Sequence, residues 1–250
     1  MNKQLNDNIT GDSKAIVTNQ DGIHEHLEKI VNKHCANRFQ KPYQAHTLAA
    51  FEKVNEQVKN FTGEIILDSC CGVGQSTRLL AQRNPTALVI GVDKSANRLN
   101  RNVDELTLID KNLDKANNDT SASLVTNFHL VRANLNDFYR LVDEAKWPVS
   151  KHYILYPNPW PKSKHVQRRW HGSAVFPTLM NIGEHIILRS NWLLYLEEFQ
   201  FCAALMNFSG HISQVFDKQA ITPFEAKFKA SEQPCWQLEI SASSKLASEK

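Results

Sequence analysis

The stretch that decides the fold is residues 64–82, EIILDSCCGVGQSTRLLAQ, followed at 87–93 by ALVIGVD. An apolar run, Glu64 to Asp68, ends in an acid and breaks at once into a glycine-containing turn. Ser76 to Gln82 then has the composition of a helix. Ala87 to Asp93 is a second apolar run, and it too ends in an acid. Short apolar runs with a helix between them are the signature of parallel strands buried on both faces.

Working outward, the same alternation continues. Residues 94–106 read as a helix, 127–132 as a third strand, 152–156 as a fourth and 185–189 as a fifth. A helix follows over about 193–207, then candidate strands at 211–217 and 235–241. This predicts a doubly wound, mostly parallel α/β sheet with right-handed crossovers. On the N-terminal side, Asp21 reads as a cap for a helix carrying Ile23, Leu27, Ile30 and Val31 on one face. Leu48, Phe51, Val54 and Val58 mark a second helix. The expected organisation is a disordered tail over 1–20, a helical extension over 21–60, a catalytic domain over 61–242 and a flexible tail over 243–250. Residues 111–123, KNLDKANNDTSAS, read as an exposed loop.

At 250 residues, 42% hydrophobic and 22% charged, the composition is that of an ordinary globular protein. The five cysteines contain no C-x-x-C, and adjacent Cys70 and Cys71 do not match zinc-site spacing, so neither a metal nor structural disulfides are expected. The opening MNKQLNDNIT lacks the apolar core of a signal peptide, and no run is long enough for a membrane span. A reducing cytoplasm is the expected location.

Charge is informative through its distribution. The net charge is only +3, yet no carboxylate occurs between Glu144 and Glu184, where six Lys or Arg residues do. Within that interval lies HYILYPNPWPKSKHVQRRWH, residues 152–171. Its short strand is stopped by three prolines in five residues, which lack the N–H that a ladder needs. Lys162, Lys164, Arg168 and Arg169 follow, interleaved with His165, Trp170 and His171. A rigid turn at a strand end, beside cations and aromatics, suits a nucleobase carried on phosphates. A plainer reading is an edge turn with a solvated basic helix, His165 and His171 being surface residues.

In a sheet of this kind ligands bind beyond the carboxyl ends of the strands. Gly72 and Gly74 allow close backbone approach after Asp68, and Asp93 can accept the hydroxyls of a ribose. The dinucleotide fingerprint is absent, because its third glycine position is Thr77, and there is no phosphate-binding G-x-x-x-x-G-K-[ST]. An adenosine cofactor without pyrophosphate, such as S-adenosylmethionine, fits better.

Together ILDSCCGVGQST, VIGVDKSANRL, YPNPWPKSKHVQRRW and TPFEAKF at 222–228 resemble the bacterial tRNA (guanine-N7)-methyltransferases. The resemblance covers most of 60–240. It implies a Rossmann-like S-adenosylmethionine-dependent methyltransferase fold with seven strands, the last antiparallel. S-adenosyl-L-methionine is then the donor and tRNA or another structured RNA the partner, with no metal and no membrane, in a monomer or homodimer. It also implies roles: Asp68 at the methionine end of the donor, Asp93 at its ribose and Asn134 near its adenine, with Gly72 and Gly74 in the cofactor loop between. Asn158 occupies the catalytic position. Asn158, Lys162, Asn191, Thr222 and Glu225 would line the acceptor pocket. By their own chemistry, Lys162, Arg168 and Arg169 suit the RNA backbone phosphates, and Glu225 matches the N1–H and N2–H donors of guanine.

The chain departs from the family where it carries Asn134, Asn158 and Asn191 in place of Asp, and Cys70 in place of the first loop glycine. The implied reaction is direct in-line attack of guanine N7 on the sulfonium methyl group, which needs no base. An amide at 158 slows such a reaction if the carboxylate stabilises growing positive charge. Asn158-Pro159-x-aromatic also resembles the turn of amino-methylating enzymes, which keeps an exocyclic amine open as the acceptor. Two further alternatives stand: a catalytically weakened or inactive RNA-binding protein of the same fold, and a methyltransferase acting on a small molecule.

Overall fold

The computed structural model describes residues 11–101 and 127–241. These form a seven-stranded sheet in the order β3-β2-β1-β4-β5-β7-β6. The strands are β1 (Ile65–Ser69), β2 (Leu88–Asp93), β3 (Phe128–Arg132), β4 (Val149–Leu155), β5 (His185–Ser190), β6 (Gly210–Gln214) and β7 (Trp236–Ser241). Neighbours among β1–β5 pair in parallel, while β7 runs antiparallel to both β5 and β6. The doubly wound sheet with an antiparallel last strand is therefore as expected. Strand order reverses between β1 and β4, which opens the crevice where ligands bind in such sheets.

The two faces are covered unequally. Ile65 and Leu67 of β1 and Leu88 and Ile90 of β2 join the larger core. That core includes α1 (Leu27–Ala36), α2 (Ala45–Lys59), α5 (Leu135–Glu144), α6 (Phe176–Met180) and α7 (Leu193–Ala204). Ile66 and Val89 face the other way, onto Leu80 and Ala81 of α3 (Gln75–Arg83). Strands apolar on both faces follow from this two-sided burial. Residues 96–101 are helical (α4), and α8 (Pro223–Ala230) lies between β6 and β7.

Several boundaries moved. The first helix starts at Leu27 instead of next to Asp21, and Ile23 is 45% exposed. β4 begins at Val149 because Lys151 pairs with Glu64, which lets a polar residue join the strand. Helix α5 was not anticipated, although Leu135, Phe138, Tyr139 and Val142 have helical spacing and are buried. The segment 11–20, expected to be disordered, is bonded to the 160–163 turn and to residues 231–233. The 111–123 loop, the end of the 94–106 helix and the 243–250 tail lie outside the described residues.

Candidate active site

The carboxyl ends of β1 and β2 carry the first half of the site. Asp68 is wholly buried, and its Oδ2 accepts from Ser76 Oγ and Thr77 Oγ1, both at 2.7 Å. Its other oxygen, Oδ1, is buried and has no hydrogen-bond partner. Burial pushes the Asp68 carboxyl up to about 6 against those two hydroxyls, and the charge of Asp93 adds to the rise. Thr77 reaches Asp68 because Gly91 of β2 leaves room: a Cβ there would lie 2.3 Å from Thr77 Oγ1. Ser76 and Thr77 escaped notice in the sequence, although two hydroxyls opening a helix after a glycine turn were visible.

The loop between is tightly curled. Cys70, Gly72 and Gly74 all have positive φ, at 62°, 62° and 77°. A Cβ on Gly72 would meet nothing within 4 Å, so the backbone there borders open space. Cys70 takes the left-handed conformation that a glycine adopts without strain. Burial, with the charges of Asp93 and Asp68, pushes its thiol up to about 12, which leaves it an unreactive neutral group. Asp93 Oδ2 accepts from Gly72 N–H at 3.1 Å, and Oδ1 from Ser95 N–H at 2.7 Å. Arg98 Nη1 lies 3.3 Å from Oδ2, on a side chain 42% exposed and therefore free to swing away. A carboxylate accepts about four bonds, so Asp93 retains capacity for a ribose. A buried acceptor oxygen, an open glycine backbone and an acid at the next strand fit the ammonium, chain and ribose of S-adenosylmethionine. Asn134 is committed locally: its side chain caps α5 by accepting from Asn136 N–H at 2.9 Å.

The second half is the turn after β4. Among the described residues six non-glycines have positive φ, and three, Cys70, Tyr156 and Trp160, belong to the candidate site. Tyr156 (51°) and Trp160 (46°) flank Pro157-Asn158-Pro159. Such conformations cost about 1–3 kcal/mol each and persist where surrounding structure enforces them. Asn158 is exposed, with Oδ1 accepting from Trp160 N–H at 3.3 Å. Arg168 is exposed, its guanidinium 4.7 Å from the centre of the Trp160 ring.

Two assignments in this turn need correction. Arg169 is fully buried and cannot touch a phosphate. It pairs with Glu198 of α7, and its Nε and Nη2 donate to the Trp160 carbonyl at 3.2 and 3.1 Å. His171 is buried as well, with Nε2 3.0 Å from Glu198 Oε2. Burial pushes the Glu198 carboxyl up, but His171, the Arg169 guanidinium and the Gln20 amide outweigh it and hold it at about 2. Of the six cations in the carboxylate-free interval, Lys146, Lys151 and Arg169 are paired with acids outside it. Lys162, Lys164 and Arg168 remain exposed and form no ion pair with a described carboxylate.

The remaining candidates gather around α8 but are already engaged. Thr222 caps α8 by accepting from Glu225 N–H at 3.0 Å. Glu225 is wholly buried between Arg189 Nη1, at 3.2 Å, and Lys229 Nζ, at 2.7 Å. Asn191 Nδ2 donates to Gln233 Oε1 at 2.9 Å. A cavity of about 790 Å³ lies elsewhere, over the face of β4, β5, β6 and β7, and shares Arg189 with this cluster. No described helix is long and apolar enough to cross a membrane, and no described cluster of His, Cys, Asp or Glu is placed to hold a metal ion.

A family of putative methyltransferases has a model that matches residues 62–238, a span that runs from before β1 into β7 and contains both halves of the site. The chain belongs to that family. It is a divergent relative of proteins named tRNA (guanine-N(7)-)-methyltransferase. The one from Mycoplasma genitalium is 27% identical over 106 residues, 42% of this chain and 44% of that protein. The one from Clostridium novyi is 28% identical over 113 residues, 41% of this chain and 52% of that protein. The matches thus span about half the length of these curated relatives. Among solved structures, the 16S rRNA methyltransferase KamB superposes with a TM-score of 0.52 at 12% identity, covering 80% of this chain and 94% of that one. The fold is that of S-adenosylmethionine-dependent methyltransferases.

Proposed function

We propose that this methyltransferase uses S-adenosylmethionine to methylate RNA, with guanine N7 in tRNA as acceptor, by direct in-line transfer and without a general base. The observation that carries the reading is the juxtaposition, at the switch point of the sheet, of Asp68 with its unpartnered buried oxygen and the strained, cation-lined turn 156–168. Relatives named as tRNA (guanine-N(7)-)-methyltransferases supply the acceptor. Five free cysteines agree with a cytoplasmic setting.

When bound, S-adenosylmethionine supplies an electrophilic methyl group on a sulfonium. Asp68 Oδ1 would hold the donor's ammonium, and Asp93 would hold its ribose, with exposed Arg98 yielding its place. Guanine N7 carries a lone pair and no proton, so the protein has only to orient the base. Asn158 does so from a turn that Arg169 stiffens through the Trp160 carbonyl. Orientation of this kind can supply about 7–11 kcal/mol. Lys162 and Arg168 hold phosphates.

Incubating the full chain with labelled donor and unmodified tRNA, then digesting to nucleosides, should place label in 7-methylguanosine. Donor binding without transfer to any RNA overturns the reading. An inactive RNA-binding role is favoured by one observation: Glu225 and Asn191 are already engaged by protein partners. Robust wild-type turnover ends that alternative.

A further inference from the structure

Residues 12–20 precede the span matched by the family model, yet they are bonded to both sides of the acceptor half. At one foot Asp12 pairs with Lys227 at 3.1 Å, and Ser13 N–H donates to Ser231 Oγ at 3.0 Å. The Ser13 carbonyl accepts from Gln233 Nε2 at 2.7 Å, and the other end of that amide accepts from Asn191. The segment is thus one residue removed from a candidate acceptor side chain.

At the other foot Thr18 Oγ1 donates to the Pro161 carbonyl at 2.7 Å, and Asn19 Oδ1 accepts from Ser163 N–H at 3.0 Å. Gln20 then enters the buried network, donating to Glu198 and accepting from Arg169 Nη2 at 3.1 Å. The same guanidinium holds the Trp160 carbonyl, so one side chain fastens both the acceptor turn and the N-terminal segment. The five residue steps from Ser13 to Thr18 reach at most about 18 Å, which bounds the gap they span.

The segment joins neither core cluster, and its polar bonds are what the structure shows fastening it. Val17 is 85% exposed, and Lys14 and Asn19 are exposed too. It is fastened by polar bonds at its two feet and offers a cation, an apolar side chain and an amide outward, its Thr18–Asn19 end against the turn that carries exposed Lys162 and Lys164. We propose that residues 13–19 form a third wall of the acceptor site and contact the RNA next to the target nucleotide, so that acceptor choice depends on residues outside the family domain. This rests on the RNA-methyltransferase reading.

The test uses full-length variants. Lys14→Glu reverses an outward charge, Thr18→Val removes the bond to the turn, and Lys53→Glu on α2 is a control with the same change in net charge. Affinity for tRNA at fixed salt, methyl-transfer kcat and KM, donor affinity and melting temperature are measured for each. Lys14→Glu should weaken tRNA binding about five- to tenfold and Thr18→Val should raise KM for tRNA about fivefold, with donor affinity and melting temperature unchanged. tRNA binding and KM within twofold of wild type for both variants, or an equal loss in Lys53→Glu, overturns the proposal. Wild type that binds tRNA without methylating it sinks the enzymatic reading alone, and the wall is then judged on the affinity ratios. Wild type that does not bind RNA ends both.

Discussion

The donor half and the acceptor half of the site are built from similar materials, buried acids beside strand ends, and arranged in opposite ways. At the donor half Asp68 is buried with one oxygen unsatisfied, a destabilising arrangement that a cationic ligand would relieve. At the acceptor half, Glu198 and Glu225 are equally buried but engaged by protein partners: Arg169 and His171 hold the first, Arg189 and Lys229 the second. The first arrangement stands ready for a ligand. The second stiffens the frame, and under the proposed function RNA contact falls to the exposed side chains around it.

The sharpest way to break this contrast is at Glu198. Glu198→Ala leaves the Arg169 guanidinium buried without a counter-charge, which costs about 3–5 kcal/mol, whereas replacing both partners by apolar residues recovers most of it. Denaturant unfolding of the single and double variants checks this. A single variant as stable as wild type would show that Arg169 finds water and is not sealed in.

Asp68→Asn should act in the opposite sense. The folded-state carboxyl titrates near 6 against an ordinary 3.8, so the folded chain holds the extra proton between those values. Stability therefore falls as pH rises through that window, and ionised Asp68 costs on the order of 2–3 kcal/mol above it. The amide should stabilise the ligand-free protein by roughly that much at pH 8 and by nothing at pH 3, while weakening donor binding at least about tenfold. Unfolding curves at the two pH values, with donor titration by calorimetry, read both effects. In the wild type, donor affinity should drop about tenfold per pH unit below 6, because only the ionised carboxylate attracts the ammonium. A flat profile between pH 5 and 7 would remove Asp68 from the donor site.

Smaller effects are expected at the exposed groups. Asn158→Asp should raise the single-turnover methyl-transfer rate by about tenfold, or about 1.4 kcal/mol, if a carboxylate there stabilises positive charge growing on the purine. An unchanged rate would mean that the turn acts by orientation alone. Lys162→Ala and Arg168→Ala should each lower the slope of log affinity for tRNA against log salt by about one, and leave donor binding intact.

Much of the donor half was legible because its determinants are local. A strand ending in Asp68, a loop needing positive φ and a second strand ending in Asp93 are consecutive in the chain, and the structure places them side by side. The acceptor half was legible only as a set of residue types. Asn134 is a helix cap because α5 begins there, and α5 escaped notice although its spacing was readable. The engagement of Glu225 depends on Arg189, 36 residues away on β5, which no local pattern reveals.

Arg168 and Arg169 state the division most simply. As a pair of adjacent arginines in a basic run they are indistinguishable, and hydropathy periodicity with glycine placement sufficed to put both near the mouth of an α/β sheet. The tertiary structure decided their roles. On the tight turn after β4 one guanidinium lies over Trp160 at the surface, while the next enters the interior. It does so because Glu198, on α7, stands there buried with its charge, beside His171 and the Gln20 amide. Alternation and backbone conformation are carried by neighbours in sequence, whereas the partner of a buried charge is chosen by packing.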